Sequence, residues 1–206
     1  MTDELAELRA EIEALKARTQ RAEDHLAIMN LQAAYGYYVD KTQWDDAADL
    51  FAEDATLEIA ARGQYHGRER IRAYLHALPK LEYGTVFNHM QLQPVITLDG
   101  DRAAGRWRTI MEVGFLGREA LRGEGTYENR YVREAGVWKI ARLHAFITYY
   151  TSREKGWSEG GVPMGRELAE IAPDAPQTVD YGSFPDVYVP PYHYPNPVTG
   201  RGYQPA

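Results

Sequence analysis

The sequence predicts an α+β domain in which helices pack on one face of a curved antiparallel sheet. Before residue 80 the apolar residues recur at spacings of three and four, which is the period of amphipathic helices. After residue 84 come four long stretches rich in β-branched and aromatic residues, separated by Asp-Gly, Leu-Gly and Ala-Gly turn signals. Helices followed by a meander of strands are typical of α+β domains.

The first element is a helix with a narrow apolar stripe over residues 1–20. Leu5, Leu8, Ile12 and Leu15 follow one another at spacings of three, four and three, with charged residues between them. Two heptads are too short to stand alone, so the stripe must dock on something. We interpret residues 1–20 as an oligomerisation arm and expect a homo-oligomer, a dimer or a trimer; packing on the arm's own domain is the alternative.

Residues 21–150 form the predicted domain. We predict that the first helix continues to Val39, and that two further helices span Trp44 to Phe51 and Arg68 to Leu78. A strand is predicted from Ala55 to Ala60 and a turn over residues 63–67. Four longer strands are predicted at Thr85–Leu98, Ala103–Phe115, Leu121–Arg133 and Val137–Tyr149.

Residues 151–206 differ in composition from the domain. Glycine and proline are frequent there, and tyrosine recurs in the stretch around residues 181–203. So many aromatic side chains are unusual in a disordered linker. We therefore expect an ordered, extended tail that wraps over a surface.

Composition excludes several classes of function. The chain has no cysteine, which excludes disulfides, thiolate catalysis and cysteine-bound zinc, and its net charge of -7 argues against nucleic-acid partners. No apolar run approaches the roughly 18 residues that a membrane span needs, and residues 1–7 lack the apolar core of a signal peptide, so we expect a cytoplasmic protein with no membrane partner.

The motifs of cofactor and metal chemistry are also missing. The six histidines show no HxH or HExxH spacing, and the sequence has no GxGxxG loop, no P-loop and no nucleophile elbow. We therefore expect acid–base chemistry with no cofactor and no metal. The 15 tyrosines suit a pocket for a flat, oxygenated organic molecule.

The strands carry further polar candidates. In the strand Ala103–Phe115, alternation places Arg106, Arg108 and Glu112 on one side of the sheet and Trp107 on the other. A charged side of this kind is either solvated or the wall of a polar pocket, and the sequence leaves both interpretations open.

Two local patterns resemble a known superfamily. Asp40 is followed by Trp44-Asp45 and by Leu50-Phe-Ala-Glu-Asp-Ala, and Gly136-Val-Trp-Lys-Ile leads into the last strand. Over residues ~20–150 these patterns and the order of elements resemble the SnoaL-like, scytalone dehydratase-like branch of the nuclear transport factor 2-like superfamily. The resemblance implies an NTF2-like cone, with the helices on the concave face of the sheet.

The resemblance also implies site residues. The catalytic Asp of the scytalone dehydratases falls on Asp40 and their first pocket His on His89, but their second His falls near Glu112, where this sequence departs from the pattern. Their tyrosine beside the Asp matches Val39, so Tyr38 or Tyr35 would have to take its place. From the resemblance and from strand alternation together, the candidate catalytic set is Asp40, His89, Tyr38, Glu112 and Tyr127, and the candidate substrate-binding set is Tyr35, Trp107, Arg106, Arg108, Asn129 and His144.

The C-terminal tail resembles a smaller group of proteins within this superfamily. Residues 193–201, His-Tyr-Pro-Asn-Pro-Val-Thr-Gly-Arg, resemble a bacterial group that includes cofactor-independent lyases, which release formaldehyde from lignin-derived diaryl propanediols. The implied function is a lyase, acting by dehydration or deformylation on a phenolic small molecule in aromatic compound and lignin degradation. The alternatives are an enzyme of the ketosteroid isomerase or polyketide cyclase type, and a non-catalytic domain that binds a small molecule.

Overall fold

A computed structural model of the chain describes residues 2–165 and 168–204. It contains three α-helices, α1 (Thr2–Asp40), α2 (Trp44–Asp49) and α3 (Arg68–His76). Its six strands are β1 (Phe51–Ile59), β2 (Gln64–His66), β3 (Thr85–Asp99), β4 (Arg102–Phe115), β5 (Glu119–Glu134) and β6 (Val137–Ser152). Short 3-10 turns lie at Ala60–Arg62 and Trp157–Glu159.

The six strands form one curved sheet in the order β2-β1-β6-β5-β4-β3. Strands β3 to β6 are an antiparallel meander, and β1 pairs in parallel with β6. The helices pack on the inner face of the sheet, where Gln32 of α1 accepts a hydrogen bond from Asn129 and Asp24 accepts one from Trp138. This architecture confirms the predicted fold class.

The early part of the chain differs from the prediction in two places. Phe51, predicted to end a helix, begins β1, because it is fully buried and pairs with Ile140 of β6. Residues 64–66, predicted as part of a turn, form the edge strand β2, which pairs with β1 through Leu57 and Tyr65. Tertiary pairing with the sheet decides both segments and overrides the local pattern.

Helix α1 has two parts with different surroundings. Residues 4–23 are all exposed, whereas Asp24, Ile28, Gln32 and Tyr35 are buried against the sheet. At 1.5 Å per residue the whole helix is about 58 Å long, so its first half projects about 30 Å beyond the domain.

The segment after β6 covers the outer face of the sheet. The carbonyls of Pro190 and Pro191 accept hydrogen bonds from Arg106 at 3.3 and 3.2 Å, and the Tyr192 ring stacks on the same guanidinium at 3.9 Å. Tyr181 and Tyr188 stack on each other, and both rings contact Phe146 of β6 at a tilt. No helix within residues 2–165 and 168–204 is long and apolar enough to cross a membrane.

Candidate active site

A cavity of about 300 Å³ lies between the helices and the inner face of the sheet. Most of its lining is apolar, and residues 162–165, which follow β6, close one side of it. Its polar or aromatic-hydroxyl lining comes from Tyr35, Trp44, Arg62, His89, Tyr127 and Tyr150. An apolar cavity with a few converging polar groups is the usual form of a small-molecule site.

The last turn of α1 and strand β3 place an imidazole against a carboxylate at the cavity wall. Oδ1 of Asp40 accepts hydrogen bonds from the backbone N of His89, at 2.7 Å, and from its ring Nδ1, at 2.9 Å. The two side chains are only 13% and 21% exposed. With Nδ1 committed to Asp40 as a donor, Nε2 of His89 is left as the ring's proton acceptor.

Gly36 allows α1 and β3 to approach at this point. A Cβ atom on Gly36 would lie 2.9 Å from the side chain of Gln91 and 3.2 Å from the carbonyl oxygen of His89. The first contact would force the Gln91 side chain to move, and the second would force the backbone of β3 to give by a few tenths of an ångström. A glycine one turn before Asp40 therefore lets the histidine come within hydrogen-bonding distance of the carboxylate.

A buried chain of hydrogen bonds supports the same wall. Gln91 hydrogen-bonds the Tyr127 hydroxyl, donates to the carbonyl oxygen of His89 at 2.9 Å, and accepts from Gln32 at 3.0 Å. The Gln32 oxygen in turn accepts from Asn129 and Tyr131. Because buried amides and hydroxyls are costly when unpaired, this network fixes the position of Tyr127 and His89.

The cavity tyrosines keep their protons. Burial raises the pKa of Tyr35 well above its ordinary value and also raises the pKa of Tyr127, although the Gln91 hydrogen bond acts in the opposite direction. At neutral pH both hydroxyls are therefore neutral hydrogen-bond donors and not bases.

Three polar residues of the cavity lining, Arg62, Trp44 and Tyr150, were not predicted from the sequence. Arg62, on the 3-10 turn after β1, lines the cavity and donates to the Tyr74 hydroxyl at 2.8 Å. Trp44 also lines it, and its buried Nε1 has no hydrogen-bond partner among the described residues. The Arg62 and Trp44 side chains are both hydrogen-bond donors beside the apolar part of the cavity. The sequence did carry a signal for Trp44, because it follows Asp40 by four residues.

The charged side of β4 faces away from the cavity. Glu112 is 38% exposed and lies 3.8 Å from Arg153, and Arg108 is 57% exposed and lies 3.7 Å from Glu124. Arg106 pairs with Glu128 beneath the C-terminal segment. The structure thus separates Glu112, Arg106 and Arg108 from the His89–Asp40 pair, because alternation points the neighbouring residues 107, 109 and 111 inward.

His144 also lies on the outer face, under the C-terminal segment. Its Nδ1 accepts a hydrogen bond from Arg142 at 2.7 Å, and its Nε2 lies 3.4 Å from the buried carboxylate of Glu58, which the backbone N and the hydroxyl of Thr178 also contact. Burial and the neighbouring Arg142 charge lower the pKa of His144 to about 3. The negative charge of Glu58 would by itself favour a protonated imidazole. A protonated Nδ1, however, could not accept the hydrogen bond from Arg142, so this contact favours the neutral ring.

The remaining predicted residues lie near the cavity without lining it. Trp107 and Asn129 are buried on the inner face and hydrogen-bond Tyr131. Tyr38 is half-buried on α1 and packs against the core. Of the eleven predicted site residues, the structure brings together at the cavity Tyr35, His89 and Tyr127, with Asp40 behind His89.

In the described part of the chain no group of three or more His, Asp or Glu side chains could hold a metal ion.

Comparison with known proteins places this chain in a family. The SnoaL-like domain family matches residues 20–144, which is more than half of the chain, and the chain belongs to that family. An uncharacterised protein of Mycobacterium tuberculosis, Rv2910c, is 29% identical over 122 residues, which cover 58% of this chain and 82% of the relative.

Solved structures share the fold. A candidate scytalone dehydratase from Novosphingobium aromaticivorans is 19% identical, with a TM-score of 0.61 over 74% of this chain and 97% of that one. A hexachlorocyclohexane dehydrochlorinase, LinA-type3 from Novosphingobium barchaimii, is 22% identical, with a TM-score of 0.60 over 71% of this chain and 99% of that one. At these identities the likeness shows the fold alone.

Proposed function

We propose that this protein is a cofactor-independent acid–base lyase that acts on a phenolic small molecule. The observation that carries the proposal is the His89–Asp40 pair, with Nδ1 and Oδ1 at 2.9 Å on the wall of an apolar cavity. A histidine held by a carboxylate is an effective proton acceptor near neutral pH.

The lining favours an aromatic substrate that carries oxygen. The cavity combines apolar walls with the ring faces of Tyr35, Tyr127 and Tyr150, which suit a flat ligand. Arg62 and the unpaired Nε1 of Trp44 are donors for a substrate oxygen, and Arg62 is suited to a phenolate because its charge is permanent. The structural relatives named for a dehydratase and a dehydrochlorinase support elimination chemistry on this fold.

The substrate class that we propose is a phenolic diaryl propanediol of the kind derived from lignin. The phenol loses its proton and the benzylic hydroxyl departs as water, with that proton passed on to it and with help from a neutral tyrosine donor such as Tyr127, which gives a quinone methide. His89 then takes the proton of the terminal hydroxyl, the bond to the hydroxymethyl carbon breaks, and its electron pair restores the aromatic ring as a phenolate. The phenolate takes the proton back from His89 and becomes a phenol again. The products are a stilbene, formaldehyde and water, and the substrate's own phenol accepts the electrons throughout.

The test is a mass-spectrometric screen of phenolic diaryl propanediols and related lignin-derived dimers, without added cofactor. We expect loss of water together with formaldehyde. The matched control is the same compound with its phenol methylated, which cannot form a quinone methide and should stay unchanged. A ligand that binds but is recovered intact would support a binding domain, and a rearranged product of unchanged mass would support an isomerase.

A further inference from the structure

The exposed side of α1 carries an apolar seam that is longer than the N-terminal arm. Starting from Leu5, alternate steps of three and four residues lead without interruption to Met29. The eight positions are Leu5, Leu8, Ile12, Leu15, Thr19, Ala22, Leu26 and Met29. All are exposed, and the six large ones are 40–59% exposed. Four consecutive heptads of this kind are typical of a coiled coil.

The seam lies on the side of α1 that faces away from the domain. Asp24 and Ile28, which are buried against the sheet, lie about 160° around the helix from Leu26, at about 100° per residue. Met29 lies about 100° from Ile28, at the edge of the seam, and is still 40% exposed. A second helix could therefore follow the seam along its whole length, beside the domain as well as beyond it.

The charged residues beside the seam indicate which helix packs against it, namely α1 of a second copy of this chain. Each heptad of the seam begins at Leu5, Ile12, Thr19 or Leu26. In a parallel, in-register pair of identical helices, the residue just before each of these positions faces the residue five places later in the other chain. The three charged pairs that this rule gives are all attractive: Glu4 with Arg9, Glu11 with Lys16, and Arg18 with Glu23.

The opposite orientation is less favourable. An antiparallel alignment that covers the full seam, with Leu5 against Met29, pairs Arg9 with Glu23 but places Lys16 and Arg18 each beside its own copy, so repulsion offsets attraction, whereas the parallel alignment has attractive pairs only. Like charges at these flanking positions repel and select against the pairing. We propose that α1 forms a parallel, in-register coiled coil with another copy of this chain, with the seam from Leu5 to Met29 at its centre.

Site-specific disulfide formation tests orientation and register together, because the chain has no cysteine of its own. Leu8→Cys and Ala22→Cys, tested one at a time, place a thiol in the seam at points about 21 Å apart along the helix. In a parallel, in-register coiled coil, each seam residue packs against the same residue of the other chain. Each cysteine should therefore form a disulfide with its own copy under mild oxidation, since a disulfide requires Cα atoms about 4.4–6.8 Å apart.

The matched controls are Ala10→Cys and Ala17→Cys, which lie on the outer side of the same exposed helix and should stay reduced. An antiparallel coil can self-cross-link at one point only, so cross-linking at just one of the two seam positions would overturn the proposal. An assembly that forms through another surface, with no cross-link at either seam position, would overturn it as well.

A charge exchange gives an independent measurement. Glu11→Lys should weaken the assembly, seen by light scattering as a shift toward the mass of one chain at micromolar concentration. Glu11→Lys combined with Lys16→Glu should restore the assembly, because the pair is attractive again with its signs reversed. Both residues are exposed, so the fold should be unaffected. A wild-type protein with the mass of one chain, or a double variant no better assembled than the single one, would contradict the proposal.

Discussion

The buried histidine on the outer face should make the stability of the protein depend on pH. The folded-state pKa of His144, about 3, lies below its ordinary value of 6.5. As the pH falls, the unfolded chain therefore binds the proton first, and folding is penalised. The stabilising contribution is complete above about pH 6.5 and is lost progressively as the pH falls toward 3.

The expected size follows from the shift. At pH 4.5, two units below the unfolded pKa, the free energy of unfolding should fall by about 2.7 kcal/mol through this residue alone, at about 1.36 kcal/mol per unit. Carboxylates also make the free energy of unfolding fall at low pH, so the contribution of His144 must be measured by comparison with a substituted protein. In His144→Gln the side-chain amide can still accept from Arg142 and donate to Glu58, but it does not titrate.

Urea unfolding followed by circular dichroism at pH 7.0 and 4.5 measures the effect. Wild type should lose about 2.7 kcal/mol more than His144→Gln between the two pH values. The control His25→Gln changes a partly exposed histidine on α1 and should behave as wild type. Equal losses in wild type and His144→Gln would refute the account of a histidine kept neutral beneath the C-terminal segment.

Three further predictions concern the cavity. Glu112→Gln should leave turnover unchanged in a steady-state assay, because Glu112 lies on the outer face and exposed ion pairs contribute little; a large loss would place it in the chemistry. Arg62→Met should weaken binding of a phenolic ligand about 10- to 100-fold by calorimetry, the scale of a lost charged hydrogen bond, and unchanged affinity would remove Arg62 from the site. Prolonged EDTA treatment should leave the rate unchanged, because the proposed steps use side chains only; loss of activity that one divalent ion restores would overturn this chemistry.

The sequence predicted the parts of the fold that local pattern and turn chemistry control. The four long strands, the hairpins between them and the continuous first helix are examples, because alternation and glycine-containing turns decide them locally. It did not predict that Phe51 begins a strand, because that depends on parallel pairing with Ile140, some 90 residues away.

The set of residues that meet at the cavity was predicted in part. Asp40, His89, Tyr35 and Tyr127 meet at the cavity, and the family resemblance pointed to the first two. Alternation divided β4 into two faces correctly but could not say which face lies inside, and Glu112 was included because it falls near the second His of the scytalone dehydratases. Arg62 was missed because its approach to the cavity depends on a 3-10 turn, for which the sequence carries no regular period.

The central claim is that His89, held by Asp40, moves a proton of the substrate. The most direct measurement is the single-turnover rate of Asp40→Asn and of His89→Ala with the phenolic substrate that the screen identifies, beside the control Asp45→Asn, an exposed carboxylate paired with Arg72. The account predicts that Asp40→Asn and His89→Ala each lower the rate by about 10²-fold or more, with the circular dichroism spectrum unchanged and Asp45→Asn equal to wild type. Wild-type rates in folded Asp40→Asn and His89→Ala would contradict it.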